Sequence, residues 1–268
     1  MAEIKRFTVE LAKLQTIRRE HQSFLNQGKM VSVITPTRKP IYLKNIFENY
    51  RNQIYQNKEL IIILHNNQLD LNQWRDFING FQNVQVFQLD ETRSLGECLN
   101  FAIDQSAGEF IARFDDDDYY GINYLTDMLT YFSFTEASVI GKTCNFIYFK
   151  AFKKLYIERL DHQGFNPIET EYNPWHGYIN TLTGATQVIK REVFNTIRYP
   201  QVVSNEDRLF SEECHNKGFR QYAADPFNFT IVRHPDKNFH TWKIEDNDYL
   251  QYCLFLFKTG NFKPFVTV

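Results

Sequence analysis

Four short apolar runs lie in the first half of the chain, with helical patterns between them. The runs are Met30–Thr35, Leu60–Leu64, Val84–Gln88 and Phe110–Phe114. They predict buried strands, because they are rich in β-branched and aromatic residues and too short for typical helices. The helical patterns between them cover Ile41–Gln53, Leu71–Asn79 and Ser94–Gln105. Strands that are apolar on both faces and alternate with helices indicate an α/β fold, with a mostly parallel sheet flanked by helices.

The pattern differs on either side of this region. Residues Glu3–Asn26 show apolar positions at roughly helical spacing, and Gly28 ends the pattern. Residues 1–28 are therefore predicted to be a helical appendage that packs on a main domain of residues 29–268. After Tyr120 the blocks become irregular, which predicts mixed sheet and loops. The expected elements are a helix at Tyr124–Phe134, short strands within Val139–Phe152, a strand at Ala185–Ile189 and a helix at Asn205–Lys217.

Composition narrows the class of protein. The 268 residues carry a net charge of -2, whereas a protein that mainly binds nucleic acid usually presents a basic face. The charged N-terminal segment lacks the apolar core of a secretory signal, and no apolar run reaches the roughly 18 residues of a membrane span. The four cysteines are far apart, which is typical of buried thiols in a reducing compartment. We therefore expect a cytoplasmic protein without a transmembrane segment, and leave open peripheral contact with the inner face of the membrane.

One late apolar segment bears on membrane contact. Tyr249–Phe257 is too short to span a bilayer, so we expect it to pack in the core.

The strongest chemical signal is a run of four carboxylates, Asp115–Asp118, directly after the fourth predicted strand. Adjacent carboxylates repel one another, so a buried strand end tolerates them best beside a cation. Mg²⁺ and Mn²⁺ bind carboxylate oxygens together with substrate phosphates, and two carboxylates at positions i and i+2 can meet one ion. A solvated acidic turn is the alternative, but the apolar strand before the run and the aromatic residues after it favour a metal site. Ligands bind at the carboxyl ends of parallel strands, which would place Thr35, His65 and Asp115 along one rim.

Five segments then occur in an order that matches a known family. They are VSVITPT from Val31, SLGECLNFAIDQSAGEF from Ser94, GEFIARFDDDDYY from Gly108, Thr183-Gly184-Ala185, and Asn205-Glu206-Asp207. In this order they resemble the first strand with its nucleotide loop, the helix before the signature, the Asp-x-Asp signature, the acceptor-side strand and the Glu-Asp motif of family 2 glycosyltransferases. The resemblance covers about Met30 to Arg220. It implies the GT-A fold, a Rossmann-like variant, with residues 29–120 as the nucleotide-sugar-binding half and 121–268 as the acceptor-binding half.

The resemblance also implies a reaction. A family 2 enzyme moves a sugar, with inversion, from a nucleotide-diphosphate sugar to a hydroxyl acceptor, using a divalent metal ion. We expect Mn²⁺ or Mg²⁺, a UDP- or dTDP-linked donor, and a glycan or glycolipid acceptor in bacterial cell-surface or spore polysaccharide or glycolipid synthesis. No nucleic acid partner is expected.

Individual residues take roles from the resemblance. Asp207 is the expected catalytic base, and Glu206 the expected orienting residue, although the two roles could be exchanged. The expected metal ligands are Asp117 and Asp115, with His240 and His234 as further candidates whose alternative is a structural role. The expected donor-binding residues are Pro36, Thr37, Arg38, His65, Asn67, Arg93, Asn100, Arg113, Asp115 and Asp116. The expected acceptor-binding residues are Trp175, Gly184, Ala185 and Trp242.

The chain departs from the family pattern at two positions. His65-Asn66-Asn67 stands where the family usually has aspartates that grip the nucleobase, so the identity of the base stays open. Leu99 stands where an arginine is common, and Arg93 or Arg113 could supply that charge to the diphosphate.

Two other classes of function stay open. One is a catalytically silent nucleotide-sugar-binding or scaffold protein of the same fold, which the intact acidic run and the Glu206-Asp207 pair argue against. The other is a nucleotidyltransferase, which also uses metal bound to aspartates. The basic segment Thr37–Pro40 lacks the glycines of a phosphate-binding loop, which disfavours it.

Overall fold

The computed structural model describes residues 2–158, 177–178, 182–202, 204–240 and 243–268. Within these residues the chain forms nine α-helices and thirteen strands. The helices are α1 (Ala2–Glu20), α2 (Gln22–Leu25), α3 (Leu43–Arg51), α4 (Leu71–Ile78), α5 (Leu95–Gln105), α6 (Tyr124–Tyr131), α7 (Glu206–Asn216), α8 (Asp246–Leu250) and α9 (Lys263–Val266). The strands are β1 (Val31–Thr37), β2 (Lys58–Leu64), β3 (Val84–Gln88), β4 (Phe110–Arg113), β5 (Tyr119–Tyr120), β6 (Val139–Gly141), β7 (Phe146–Phe149), β8 (Lys154–Glu158), β9 (Gly177–Tyr178), β10 (Val188–Lys190), β11 (Gln221–Ala223), β12 (Phe229–Arg233) and β13 (Cys253–Lys258).

The main sheet has eight strands in the order β3-β2-β1-β4-β10-β6-β11-β9. The first four strands of this order are parallel, as the sequence predicts. β10 runs antiparallel to both β4 and β6, and β9 runs antiparallel to β11. The carboxyl ends of β1 to β4 therefore form one rim, which lies beside the acidic run.

A second sheet has five strands in the order β13-β8-β7-β12-β5. β7 and β8 form an antiparallel hairpin, and β12 is parallel to β7 and antiparallel to β5. Because β5 directly follows the acidic run, the second sheet fixes one side of that run. The sequence predicts the short aromatic strands of this region but not their assembly into a separate sheet.

Apolar layers cover both faces of the main sheet. Along β2, Leu60, Ile62 and Leu64 face the layer that contains α3 and α4, and Ile61 and Ile63 face the layer that contains α5. All five side chains are completely buried. The continuous LIIIL run is thus explained by burial on both faces of a parallel strand.

β1 continues through Pro36, where the sequence predicts its end. Ile34 accepts the Phe114 N–H through its carbonyl oxygen, whereas Thr37 accepts the His65 N–H. Ile34 and Pro36 therefore face β4, and β4 pairs with β1 only as far as Ile34. The missing N–H of Pro36 costs no ladder hydrogen bond, because the pairing with β4 has ended on the side that the Pro36 nitrogen faces, although Pro36 still lies opposite Ile63 of β2.

The helix α1 packs against the second sheet. Leu14 is fully buried in a cluster that includes Phe146 and Leu155, and the rings of Phe7 and Phe146 stack with centroids 5.8 Å apart. Arg18 forms a two-pronged ion pair with the buried Asp127 of α6, at 2.6 and 2.8 Å. Residues of the predicted appendage thus contribute to a core that the main domain shares.

Three further predicted elements have different bounds in the structure, and in two of them side-chain hydroxyls bond to nearby carbonyl groups. The predicted helix Ile41–Gln53 begins as a 3-10 turn at Pro40–Tyr42 and ends as α3 at Arg51. The predicted helix Tyr124–Phe134 ends at Tyr131, where the hydroxyls of Ser133 and Thr135 bond to preceding carbonyls and compete with the helix. The predicted strand Ala185–Ile189 begins as a 3-10 turn, which Thr186 closes by bonding to the Thr183 carbonyl.

Candidate active site

Two asparagines of α3 hold the backbone of the acidic run. Asn45 donates its side-chain amide to the carbonyl oxygens of Asp116 and Asp118, at 2.8 and 2.9 Å. Asn49, one helical turn later, donates to the Asp118 carbonyl at 2.8 Å. A turn that would otherwise leave carbonyl groups unpaired is therefore fixed by a helix under the rim.

Tyr120 fixes the other end of the run. Its hydroxyl accepts the backbone N–H of Asp115 at 2.8 Å and donates to the carbonyl of Ala185 at 2.7 Å. Its ring stacks on Phe114 with centroids 3.7 Å apart. The same side chain thus links the start of the acidic run to the turn that carries Gly184.

The four carboxylates of the run have four different environments. Those of Asp115, Asp116 and Asp117 are half-buried, and that of Asp118 is buried. Their partners are Arg113 Nε for Asp115 at 3.1 Å, Thr37 Oγ1 for Asp116 at 2.5 Å, His240 Nδ1 for Asp117 at 3.2 Å and the Val232 N–H for Asp118 at 3.0 Å. Asp118 therefore joins the acidic run to the second sheet, and the other three line the cleft.

The carboxylates of the acidic run are not fully compensated by the positive charges around them. Burial raises the pKa of the Asp115 carboxyl, and it raises the pKa values of Asp116 and Asp118 well above their usual range. The negative charge of Asp117 adds to each of these shifts. A bound cation would lower these pKa values again, because its positive charge would offset the repulsion between the carboxylates.

His240 and His234 have different orientations. His240 Nδ1 faces Asp117 at 3.2 Å, and its Nε2 atom accepts the backbone N–H of His234 at 2.8 Å. A metal ion at Nδ1 would require the other tautomer, in which Nε2–H points to the His234 carbonyl oxygen, 3.4 Å away. The His234 ring turns toward the Asp236 N–H at 3.2 Å and packs on Phe239 at 4.1 Å. Of the two predicted histidines, only His240 therefore meets the acidic run.

Arg113 connects the acidic run to the Glu-Asp motif. Its buried guanidinium lies 3.1 Å from Asp115 and 2.8 Å from Glu206, whose side chain is 6% exposed. Asp207 is half-buried and accepts the Gly184 N–H at 3.1 Å. The Arg113 guanidinium thus contacts two carboxylates of the protein, which favours a structural role over the predicted contact with the donor diphosphate.

Gly184 lies where the turn Gly184–Thr186 packs closely against Asp207 of α7. A Cβ atom at this position would lie 2.6 Å from the Asp207 Cβ, 2.7 Å from Asp207 Oδ2 and 2.8 Å from Arg113 Nη1. Any larger residue would displace the Asp207 side chain or the arginine. The Thr-Gly-Ala sequence therefore matters because of what α7 places against it.

The predicted nucleotide rim is assembled by Arg38. Its guanidinium donates to the carbonyl of His65 at 3.2 Å and to the carbonyl of Glu91 at 2.9 Å, joining the ends of β1, β2 and β3. The exposed Asn67 side chain donates to Asp90 at 3.2 Å and accepts the Glu91 N–H at 3.3 Å. Arg38 and Asn67 therefore lie together at one end of the cleft.

The His65 side chain, which the sequence predicts to contact the donor, is buried. Its Nε2 atom lies 2.7 Å from the Arg93 carbonyl, and its side chain is almost fully enclosed. Burial and the neighbouring Arg38 lower the pKa of this imidazole, so the neutral form is favoured. The Arg93 side chain itself is exposed and pairs with Glu97 at 3.2 Å.

Two further predicted donor residues have different surroundings. Asn100 uses both ends of its amide on the backbone of Tyr199, at 2.8 and 3.0 Å, which supports a structural role. Pro36 is half-buried on β1, next to Thr37. The rim position expected for Thr35 is occupied by Thr37, because β1 extends two residues further and buries Thr35.

The predicted acceptor residues are only partly within the described structure. Gly184 and Ala185 are buried in the turn beside Asp207. Trp175 and Trp242 lie outside the described residues.

Sequence reasoning missed several residues of this site. Asn45, Asn49 and Tyr120 carry no motif signal, because their role depends on the helix and strand that bring them to the run. Lys39 and Tyr42 also lie at the cleft, where the charges of Asp116 and Asp117 act on both. The buried Tyr42 hydroxyl has no hydrogen-bond partner among the described residues, so it can serve a bound molecule. The basic segment after β1 was the available signal for Lys39.

No group of three or more His, Cys, Asp or Glu side chains within the described residues is arranged to hold a metal ion. The run offers instead the Asp117 carboxylate and His240 Nδ1, which lie 3.2 Å apart, while Asp115 stands two residues earlier and pairs with Arg113. This donor set suits a hard cation whose remaining positions are filled by phosphate oxygens and water.

The mixed α/β sheet and the acidic run at its rim define a GT-A glycosyltransferase. The chain belongs to glycosyl transferase family 2, whose family profile matches residues 32–198. The predicted family, fold and enzyme class are therefore confirmed. No curated protein sequence matches the chain.

Solved structures share the fold at low sequence identity. Residues 1-349 of S. aureus TarS in complex with UDP-GlcNAc align with a TM-score of 0.58 and 18% identity, over 83% of this chain and 64% of that chain. The same protein in complex with UDP aligns with a TM-score of 0.55 and 20% identity, over 77% and 61%. The mannosyltransferase PcManGT from Pyrobaculum calidifontis, in complex with GDP-Man and Mn²⁺, aligns with a TM-score of 0.56 and 14% identity, over 93% and 72%. The chain thus spans less than two thirds of the length of these TarS structures.

Among the described residues, every helix is too short or too polar to cross a bilayer.

Proposed function

We propose that this glycosyltransferase is an inverting, metal-dependent enzyme that uses a nucleotide-diphosphate sugar as donor and a hydroxyl group as acceptor. One observation carries the proposal. Arg113 contacts Asp115 in the acidic run, which is suited to binding a cation and a diphosphate, and it also contacts Glu206 of the Glu-Asp motif. Asp207, the other carboxylate of that motif, is outside this ion pair and binds the Gly184 N–H instead. Donor and acceptor chemistry would then meet at one end of the sheet.

Asp117, His240 and Asp115 would hold the Mn²⁺ or Mg²⁺ ion. A divalent ion bound there supplies charge neutralisation to the diphosphate leaving group. The mannosyltransferase with the same fold contains Mn²⁺, which supports this assignment by analogy. Asp116, tied to Thr37, would shape the nearby donor pocket.

Asp207 would remove the proton of the acceptor hydroxyl. An alcohol is a weak nucleophile at neutral pH, so it needs a base within hydrogen-bond reach. The Gly184 N–H holds one carboxylate oxygen of Asp207, and that contact orients the side chain. Glu206 is engaged with Arg113 in a buried ion pair, so we assign it a positioning role. Attack from the face opposite the leaving group would invert the anomeric carbon.

The nucleobase would lie near Pro36, Thr37, Arg38, His65 and Asn67. Arg38 and Asn67 are exposed at the ends of β1 and β2, which is where ligands bind on parallel sheets. The structural relatives hold uridine and guanosine nucleotides, so both bases belong in the test. Arg93 is exposed next to this rim and can reach phosphate, whereas the contacts of Asn100 and Arg113 favour structural roles.

The cellular setting is a further part of the proposal. We place the enzyme in the cytoplasm, in the synthesis of a bacterial cell-surface or spore polysaccharide or a glycolipid. Its acceptor would be a glycan or lipid-linked hydroxyl that reaches Asp207, beside the buried turn of Gly184 and Ala185.

Titration calorimetry tests the donor and metal assignments together. UDP, dTDP and GDP are titrated in turn into the protein with Mn²⁺, and each titration is repeated with EDTA. We expect at least one nucleotide to bind only with the metal, and expect Asp117→Ala to lose that binding. Asp76→Ala is a matched control, because it removes an exposed aspartate of α4 that lies outside the acidic run. Binding that is unaffected by EDTA and by Asp117→Ala would refute the metal assignment. Donor binding without any donor hydrolysis in the presence of metal would favour a catalytically silent binding protein.

A further inference from the structure

The surface around the outer strand of the second sheet combines exposed aromatic rings with lysines. Phe152 and Phe255 are 41% and 53% exposed. The lysines of this surface are Lys150, Lys153, Lys154 and Lys258. We call these six residues the β13 edge.

Three chain segments meet to form the β13 edge. The turn Lys150–Lys153 joins β7 to β8, and its Lys153 carbonyl accepts the Thr259 N–H at 2.8 Å. Lys154 and Lys258 are opposite each other in the β8–β13 pairing. Residues separated by more than 100 positions therefore share one surface.

The exposed rings are anchored by buried ones. The ring centroids of Phe152 and Phe149 are 5.9 Å apart, and those of Phe149 and Tyr156 are 5.4 Å apart. The Tyr156 and Phe255 rings are also in contact, with centroids 5.4 Å apart. Phe149 and Tyr156 are buried, so the outer rings are held in place by the core of the second sheet. The sequence predicts that Tyr249–Phe257 packs in the core, which holds for Tyr249 and Cys253 but is wrong for Phe255.

The β13 edge carries four lysines and no carboxylate of its own, and the acidic residues of its neighbour α8 are Asp246 and Asp248. The sequence contains no Asp or Glu between Glu136 and Glu158, and none after Asp248. Among the described residues, none of the four lysines forms an ion pair. Lys154 lies over the Phe255 ring at 5.6 Å. The overall charge of -2 therefore conceals a local excess of positive charge.

We propose that the β13 edge binds the surface of a membrane that contains anionic phospholipids. Phenylalanine rings can enter the boundary between headgroups and acyl chains, while lysine stems extend along it with their ammonium groups at the phosphates. Each lysine close to an anionic surface contributes about a fivefold gain in binding. This inference is independent of the proposed donor and acceptor chemistry, since it rests on other residues.

A second copy of the chain is a less suitable occupant. The β8–β13 pairing is irregular between Phe255 and Phe257, and such irregularities twist an edge strand away from further pairing. Lysines on an edge strand also oppose strand-to-strand association, because two copies would bring like charges together. The charge of an anionic bilayer complements this surface, whereas a second copy repeats it.

Vesicle sedimentation tests the proposal with the full chain. The protein is mixed with vesicles of phosphatidylcholine alone, or of phosphatidylcholine with phosphatidylglycerol, at low and high salt. We expect binding only to the vesicles with phosphatidylglycerol and weaker binding at high salt, because salt screens the attraction. The double variant Lys150→Gln/Lys258→Gln is expected to bind at least about tenfold more weakly, and Phe152→Ser/Phe255→Ser to lose most binding.

Matched controls come from exposed residues of the main sheet's helices. Phe77→Ser and Lys44→Gln change the same residue types away from the β13 edge, and Phe77 is 47% exposed. They are expected to bind vesicles like the wild type. Thermal unfolding of every variant shows whether it folds.

Three outcomes would overturn the proposal. The first is equal binding to both kinds of vesicle, or binding to neither. The second is normal binding by both double variants. The third is a concentration-dependent dimer that Phe255→Ser abolishes in the absence of vesicle binding, which would assign the surface to a second copy.

Discussion

Asp207 and Glu206 are neighbours in the chain but have opposite environments. Glu206 is buried against Arg113, where its charge is compensated, whereas Asp207 is half-buried and is held only by backbone N–H groups, that of Gly184 at Oδ2 and that of Arg208 at Oδ1. A base must release and accept a proton at the cleft, so a carboxylate that is committed to a buried ion pair is a poor candidate. The roles that the sequence left exchangeable are therefore separated by position.

Asp207→Asn should lower the rate of sugar transfer by about 10² to 10⁴-fold, because it keeps the shape of the side chain and removes its basicity. Donor affinity should stay close to that of the wild type. Steady-state transfer kinetics together with calorimetry of donor binding measure the two quantities. If Asp207→Asn keeps the wild-type rate and the paired variant Glu206→Gln is inactive while still folded, Glu206 is the base.

Gly184→Ala should impair transfer without a large change in donor binding. The new methyl group would lie within 3 Å of Asp207 and of Arg113, so Asp207 must move out of its contact with the backbone. We expect a fall in kcat of at least about tenfold, since small displacements of a positioned catalytic group are costly. Gly260→Ala is the matched control, because a Cβ there meets nothing within 4 Å. Unchanged kcat in Gly184→Ala would mean that the position of Asp207 does not matter.

At the scale of elements, α1 contributes to the core of the second sheet. Its Leu14 is completely buried among residues of β7 and β8, and Arg18 pairs with Asp127 on α6. The sequence predicts a helix that packs as an appendage. The contacts show that the packing reaches the interior.

Leu14→Ala should therefore destabilise the protein by about 2 to 5 kcal/mol, because it leaves a cavity in a buried cluster. Val9→Ala on the same helix should have little effect, since Val9 is 51% exposed. Chemical denaturation of both variants measures the difference. Equal stability of Leu14→Ala and Val9→Ala would mean that the helix is not part of the cooperative fold.

At the scale of the whole molecule, buried charges link the two sheets. Asp127 binds Arg18 of α1 and accepts the Asn228 amide at 2.7 Å, beside the start of β12. Burial raises the pKa of Asp127 to about 6 despite the opposing effect of Arg18. The folded state therefore holds a proton on this carboxyl more readily than the unfolded state does.

This shift has a definite sign for stability. A raised folded-state pKa contributes stability that is fully present below the unfolded pKa of about 4 and is lost as the pH rises through about 6. Relative to Asp127→Asn, which does not titrate, the wild type should gain about 1 kcal/mol of unfolding free energy between pH 7 and pH 5. Denaturation of both proteins in metal-free buffer at the two pH values checks this. A difference that stays constant, or that shrinks at pH 5, would contradict the assignment of this pKa.

The sequence by itself determined the elements of the first half of the molecule and the residue types of the cleft. The apolar run of β2, the capping Ser94 of α5 and the four aspartates after β4 are local signals, because they depend on residues close together in the chain. The family and the fold class could be predicted from the order of these signals. Pro36 was a misleading local signal, since whether it ends a strand depends on where the neighbouring strand stops.

Only the tertiary structure decided how the cleft is assembled. In the acidic run, Asp115 faces Arg113, Asp117 faces His240 and Asp118 is turned inward to Val232. These pairings depend on elements that are distant from one another in the sequence. The close approach of Gly184 and Asp207 and the grouping of lysines and phenylalanines at the β13 edge have the same origin. Side chains far apart along the chain become neighbours only through the packing of strands and helices, and one-dimensional patterns carry little information about such contacts.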